Sequence, residues 1–365
     1  MRILSIIILC AVVLIAAIAV PSQATNAPAK PEASNAVKCW SFADADVFFR
    51  SVAADDKAAY VSTDKGSVIA VGAANGERLW RAEFGGEVVS NIAVGPDRIA
   101  IATRPADSSD TAKTATLRVL SKETGILVWK AEIDGAGEIF LKTAPDTIVA
   151  AASSGEVSAF DLRAETLKWK LTFAGGLSTA PVLDDTLLAF ATGDSRLVGV
   201  TLAGGESRFS IGLKRPAKTV VFDDNEIYAG DSRGEVVRLE AADGYDAKWK
   251  YRAGAQIGRL MENDGELLAA SFDNFLYSID RASGRVNWKL RLPARVLGAA
   301  TMDSKRLFVL VENGKIAMVV SAETGRIDSQ VDLGEAPIAT AADGSHTFVL
   351  SPVSLAAYGS GTCAK

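Results

Sequence analysis

From residue 38 onward the chain alternates short apolar runs with short polar turns. Within 255–290, Ile257–Met261 ends at Asn263, Asp264 and Gly265, and Leu267–Phe272 ends at Asp273 and Asn274. Phe275–Ile279 then ends at Ala282, Ser283 and Gly284, and Arg285–Leu290 carries Trp288. Four strands rich in Val, Ile, Leu and aromatics, parted by Asp/Asn/Gly turns, predict a four-stranded antiparallel meander. No 3.6-residue periodicity is sustained, and turns recur too often for a helical repeat.

The unit recurs. The tryptophans stand at Trp40, Trp80, Trp129, Trp169, Trp249 and Trp288, with gaps of 40, 49, 40, 80 and 39 residues. The gap of 80 is two periods with Phe209 at its middle, and one further period reaches Ser329. The gap of 49 holds a polar insertion, Arg104 to Thr114. A meander with two apolar faces is unstable alone, and stacking several about an axis buries both, which predicts an all-β propeller. The motif positions number eight, so eight blades are expected, with seven as the alternative. The last unit, Pro337 to Tyr358, lacks a fourth strand, while Lys38–Phe42 is an orphan fourth strand at the start. Pairing the two closes the ring and removes exposed edges.

Composition narrows the class. The 365 residues are 48% hydrophobic and 23% charged, a globular balance with ample core. The net charge of −5 speaks against nucleic acid as a partner. A single histidine, His346, leaves little room for histidine metal sites. Residues 1–24 read as a secretory signal: Arg2, an apolar run over 3–20, then small residues before Ala24. The alternative is an uncleaved anchor, making 3–20 the sole membrane contact. Residues 25–37, rich in Ala, Pro, Asn and Ser, read as a flexible linker, and 38–365 as the propeller.

The segments Tyr277–Trp288 (YSIDRASGRVNW), Val119–Trp129 (VLSKETGILVW) and Val71–Trp80 (VGAANGERLW) resemble the PQQ-like propeller repeat. The resemblance covers about 38–363 and implies the fold more strongly than the function. Of that family's branches, the length and eight-blade layout are similar to the BamB-type outer-membrane assembly factors rather than the quinoprotein dehydrogenases. It implies a non-catalytic, extracytoplasmic scaffold, periplasmic or secreted, monomeric, with an envelope protein as partner and no cofactor. The alternatives are a pyrroloquinoline-quinone-dependent dehydrogenase-like enzyme and a secreted glycan- or ligand-binding propeller. The enzyme branch has a vicinal Cys-Cys pair and long insertions, and neither is present here. The recurrent carboxylates, such as Asp55, Asp184, Asp303 and Asp343, fall in the A–B turn of successive blades and read as turn chemistry. His346 reads as a structural or solvent-facing side chain, not a catalytic one.

Three structural roles follow. Trp40, Trp80, Trp129, Trp169, Phe209, Trp249 and Trp288 are expected to pack between blades, and Gly76, Gly125, Gly205, Gly284 and Gly325 to supply positive φ before the fourth strand. Arg50, Lys142, Lys218, Arg259 and Arg295 fall on innermost strands or the loops entering them, a candidate basic channel. Cys39 precedes Trp40 as Leu79 precedes Trp80, and Cys363 aligns with Gly76. Those places are i and i+3 of one hairpin connection, within disulfide reach, so Cys39 and Cys363 are expected to pair.

Overall fold

The computed structural model describes residues 36–105, 114–184, 186–223, 226–240, 244, 246–263, 265–303, 305–361 and 363. The signal (1–24), most of the linker (25–37) and the insertion loop over 106–113 lie outside the described residues. Eight antiparallel sheets follow in chain order. In blade 1 the strands run Phe49–Ala54, Ala58–Thr63, Ser67–Gly72 and Arg78–Glu83, here A to D from the axis outward. Blades 2 to 7 occupy 87–134, 139–172, 182–212, 217–252, 257–291 and 296–332. Blade 8 takes strands A to C from Ala339–Ala342, His346–Leu350 and Leu355–Ser360, and its strand D from Ala36–Phe42 at the other end of the chain.

Burial follows each strand's place. Strands B such as Thr147–Ala152 are buried on both faces, because each blade is covered on both sides by its neighbours. Strand D of blade 3, Thr166–Thr172, buries only Trp169 and half-buries Leu171. The core is eight apolar clusters, one at each seam between successive blades, including the seam between blades 8 and 1.

The seams explain the repeat. Trp40, Trp80, Trp169, Trp249 and Trp288 each lean on the next blade and donate the indole Nε1–H to a carbonyl of its C–D turn: Ala73, Lys122, Leu202, Arg281 and Ala322, at 2.6–2.9 Å. The rings lie on Gly76, Gly125, Gly205, Gly284 and Gly325, where a Cβ would stand 2.5–3.0 Å from the nearest ring atom. All five glycines have positive φ, between 68° and 76°. The glycine of one repeat therefore meets the tryptophan of the repeat before it. Trp129 packs edge-on against Phe160 of blade 3, with centroids 5.4 Å apart. Phe209 folds over Gly199 of its own blade.

At the Trp129 seam the turn position is Glu165, a non-glycine residue at φ 57°. The left-handed region costs an L-residue about 1–2 kcal/mol, partly offset because glycine loses more entropy on folding. Glu165→Gly is expected to stabilise the protein by about 0.5 kcal/mol, raising the urea midpoint. A lowered midpoint would contradict this account of the turn.

Strand D is the open edge of every blade. In all eight blades its pairing with strand C slips by one residue just before the tryptophan position, at Cys39, Leu79, Val128, Lys168, Arg208, Lys248, Asn287 and Asp328. Bulges and charges of this kind blunt an edge against further strand addition. In blade 8 the bulged residue is Cys39, and it meets Cys363 in the C–D turn with Cα atoms 5.3 Å apart and S–S 2.14 Å. The bond stands where the other blades have a continuous hairpin.

Blade 2 departs from the pattern. Its strand A is split into Glu87–Val88 and Ala93–Val94. Between them Asn91 reaches to blade 3, its side-chain amide donating to Leu141 O at 3.0 Å and its Oδ1 accepting from Leu141 N at 2.9 Å. The insertion is the B–C loop of this blade, between Arg98–Arg104 and Thr114–Ser121.

Candidate functional site

Antiparallel order places the A–B and C–D turns at one end of the ring, and the B–C turns and D–A connections at the other. The second end is tied together by backbone bonds. Phe84, Phe173, Leu213, Ala253, Leu292 and Leu333, each just past a strand D, donate N–H to Gly66, Gly155, Ser195, Gly234, Asn274 and Lys315 of the same blade's B–C turn. The base of the insertion belongs to this end: a Cβ on Gly86 would stand 2.0 Å from Arg104 O.

The channel opens between the ends. Contacts between blades run from inner strand to inner strand, as between blades 5 and 6, 7 and 8, and 8 and 1. The inner strands are Phe49–Ala54, the split Glu87–Val88 and Ala93–Val94, Ile139–Ala144, Val182–Leu183, Ala217–Asp223, Ile257–Asn263, Val296–Asp303 and Ala339–Ala342. Their four cations are Arg50, Lys142, Lys218 and Arg259, while the carboxylates Glu87, Asp223, Glu262 and Asp303 stand at or next to a strand end. Arg50 and Lys218 hold equivalent places on blades 1 and 5, on opposite sides of the ring, with Arg259 beside Lys218 on blade 6. Lys142 lies further along its strand, and burial among protein atoms lowers its pKa. Arg259 is open to water yet ringed by protein, as a side chain at a narrow channel is, and the lost hydration lowers its pKa too. Among the described residues none of the four cations forms an ion pair. Arg295 is apart from them, on the connection between blades 6 and 7, its guanidinium 4.1 Å above the Phe272 ring.

The opposite end is held by charge across the seams. Lys122, in the C–D turn of blade 2, reaches back to Asp55 of blade 1 at 2.8 Å. Arg281, in the C–D turn of blade 6, reaches Glu226 at 3.4 Å and the Tyr228 hydroxyl at 3.1 Å in blade 5. Each also offers its carbonyl to the tryptophan of the preceding blade. Burial alone would raise the Asp55 pKa, but Lys122 and the Ala58 and Lys57 amides outweigh it and hold the carboxyl below its usual value. A lowered carboxylate adds stability that is complete above the unfolded pKa, about 4, and is lost as pH falls through the folded value. Lys122→Met is expected to cost about 2 kcal/mol at neutral pH. The gap to wild type should narrow as acid protonates Asp55, and a gap independent of pH would contradict the role given to this pair.

The turn carboxylates also hold their own turns. Asp55, Asp184 and Asp343 accept the backbone N–H groups two and three residues on, at 2.5–2.9 Å. His346 is buried rather than solvent-facing; its Nδ1 lies 3.1 Å from Asp343 Oδ2, and among the described residues its Nε2 has no hydrogen-bond partner. Among the described residues no three His, Cys, Asp or Glu side chains converge to hold a metal ion. A cavity of about 210 Å³ opens at the blade 4–5 seam, lined by Ile211, Leu213, Arg215, Asp231 and Lys250. Arg215 and Asp231 pair within it at 2.8 Å.

Comparison with known proteins bears on what the ring presents. A family model described as outer membrane protein assembly factor BamB matches residues 35–164, 153–265 and 247–363. No curated protein matches the chain in sequence. Among solved structures, the crystal structure of BamB from Moraxella catarrhalis aligns with a TM-score of 0.73 at 14% identity, covering 89% of this chain and 98% of that one. The computationally designed Ika8 protein aligns with a TM-score of 0.75 at 13% identity, covering 88% and 99%. At these identities the structural likeness speaks for the fold alone.

Proposed function

Because the chain belongs to the family of the outer-membrane assembly factor BamB, we propose that it is a non-catalytic, extracytoplasmic scaffold that binds an envelope protein during outer-membrane protein assembly. The family match over 35–363 carries this reading. The fold fits it, because the blade faces are consumed in seams and only the two ends, the outer rim and the channel remain for a partner. The unpaired cations of the channel suit a carboxylate-bearing segment of such a partner. The molecule works as a monomer, closed on itself by its first strand, and needs no cofactor.

Depleting the protein in its native cell is expected to lower the amount of folded barrel proteins in the outer membrane. Crosslinking in the intact envelope should join it to a component of the assembly machinery. Unchanged barrel levels together with no envelope adduct would overturn the proposal.

A further inference from the structure

The connections that lead from strand D of one blade to strand A of the next are sorted by charge around the ring. Those entering blades 5, 6 and 7 (212–217, 252–257 and 291–296) carry Lys214, Arg215, Arg252, Arg291 and Arg295 and no carboxylate. Those entering blades 8, 1, 2 and 3 (332–339, 42–49, 83–87 and 134–139) carry two carboxylates each, from Glu335 in the first to Glu138 in the last, and no cation; Arg81 of the adjoining strand pairs with Asp44 and Glu83, and the other six form no ion pair among the described residues. The connection entering blade 4, 172–182, is uncharged and marks one boundary.

Neighbouring turns do not cancel the basic half. Of the carboxylates in the B–C turns of blades 5 to 7, Asp231 and Arg215 neutralise each other at 2.8 Å, which leaves Lys214, Arg252, Arg291 and Arg295 to the connections. Asp273 keeps its charge, held by the Gly254 amide at 2.9 Å and the Tyr277 hydroxyl at 2.8 Å, and is outnumbered by Arg252, Arg291 and Arg295 of the adjoining connections. Glu312 is exposed, but Arg233 and Lys315 stand in the same set of turns. Lys214, Arg252 and Arg291 are exposed and form no ion pair among the described residues. The division belongs to the connections and not to the channel, whose cations lie on both halves: Lys218 and Arg259 on blades 5 and 6, Arg50 and Lys142 on blades 1 and 3.

We infer that this end of the ring docks a protein surface that is itself divided in charge, acidic over blades 5 to 7 and basic over blades 8 and 1 to 3. The inference rests on the scaffold reading and adds the chemistry and orientation of the partner. A membrane or polyanion is uniform in sign, so laid across this end it would gain at one half and be repelled at the other. A surface carrying both signs gains at both, and opposed halves also fix rotation about the channel axis.

Two short labelled peptides test this with the purified protein at low salt, where exposed charges are least screened. One alternates Glu with Gly and the other Lys with Gly, and both are expected to bind. Arg252→Glu with Arg291→Glu should weaken the acidic peptide about tenfold and leave the basic one bound at least as well. Glu138→Lys with Glu335→Lys should do the reverse, and a variant that merely misfolded would not show this reciprocity. Peptide affinities indifferent to these substitutions would overturn the inference. So would phosphatidylglycerol vesicles whose binding ignores the acidic half, which would assign the face to lipid, or a doubled mass in sedimentation at low salt, which would assign it to a second copy. If an envelope partner crosslinks but the peptides do not discriminate, this inference alone fails. If the peptides discriminate but no envelope partner exists, the scaffold reading fails.

Discussion

Replacing Cys39 and Cys363 by serine is expected to lower the stability of the ring by about 5–6 kcal/mol at most, from the entropy of closing so long a loop. The bond spans a sequence separation of 324 residues, nearly the whole propeller. It joins strands from opposite ends of the chain at the one place where strands C and D of a blade lack a covalent turn. The strand pairing itself remains, from Ala36 opposite Ser360 to Phe42 opposite Leu355. The variant should therefore fold but melt earlier, by on the order of 8 °C for a domain of this size. Reductant should lower the wild-type melting temperature to the variant's value and leave the variant unmoved. Equal melting temperatures throughout would show that the bond does not close the ring.

Trp288→Ala is expected to cost about 3–5 kcal/mol, the range for removing a large buried aromatic side chain. The residue is 8% exposed, and its ring packs within the blade 6–7 core and lies on Gly325. Its indole N–H also satisfies Ala322 O at 2.6 Å. Gly325→Ala should reproduce much of the loss from the other side of the seam, since the added methyl would meet that ring at 2.5 Å with φ at 68°. The two losses share one contact, so the double variant should cost less than their sum. Strict additivity in denaturant unfolding would contradict the docking of one on the other.

Tryptophan made the architecture legible. It is rare and sits at one point per blade, so its spacing counts the blades through the substitution at Phe209 and the loss at Ser329. The orphan first strand and the incomplete last blade then required each other. Which blade each tryptophan serves was not legible, because the spacing is the same whether it packs on its own turn or the next. The break in strand A of blade 2 was hidden as well, since Val88, Val89, Ile92, Ala93 and Val94 read as one apolar run around Ser90 and Asn91. The bonds of Asn91 to Leu141 and the bridge of Ser90 to Ile139 reveal why the strand leaves its own sheet. The sequence left His346 between a structural and a solvent-facing place, because its partner Asp343 looked like one more turn aspartate. The basic residues of the inner strands were legible one by one, and so was their fall on strand A. Arg295 differs, since strand A of blade 7 begins after it, at Val296. The charge division of the D–A end was not legible. The residues concerned are spread over most of the chain, and they sort only when strand ends are known and the connections are read in ring order.

The most direct measurement is photocrosslinking in the intact envelope from the two ends of the ring. A photoreactive residue would replace Arg291 or Glu335, both in D–A connections, and in parallel Glu123 or Glu323, both in C–D turns at the opposite end. The account predicts adducts with the same envelope protein from Arg291 and Glu335 and none from Glu123 or Glu323. Adducts from the C–D turns alone, or from neither end, would contradict it.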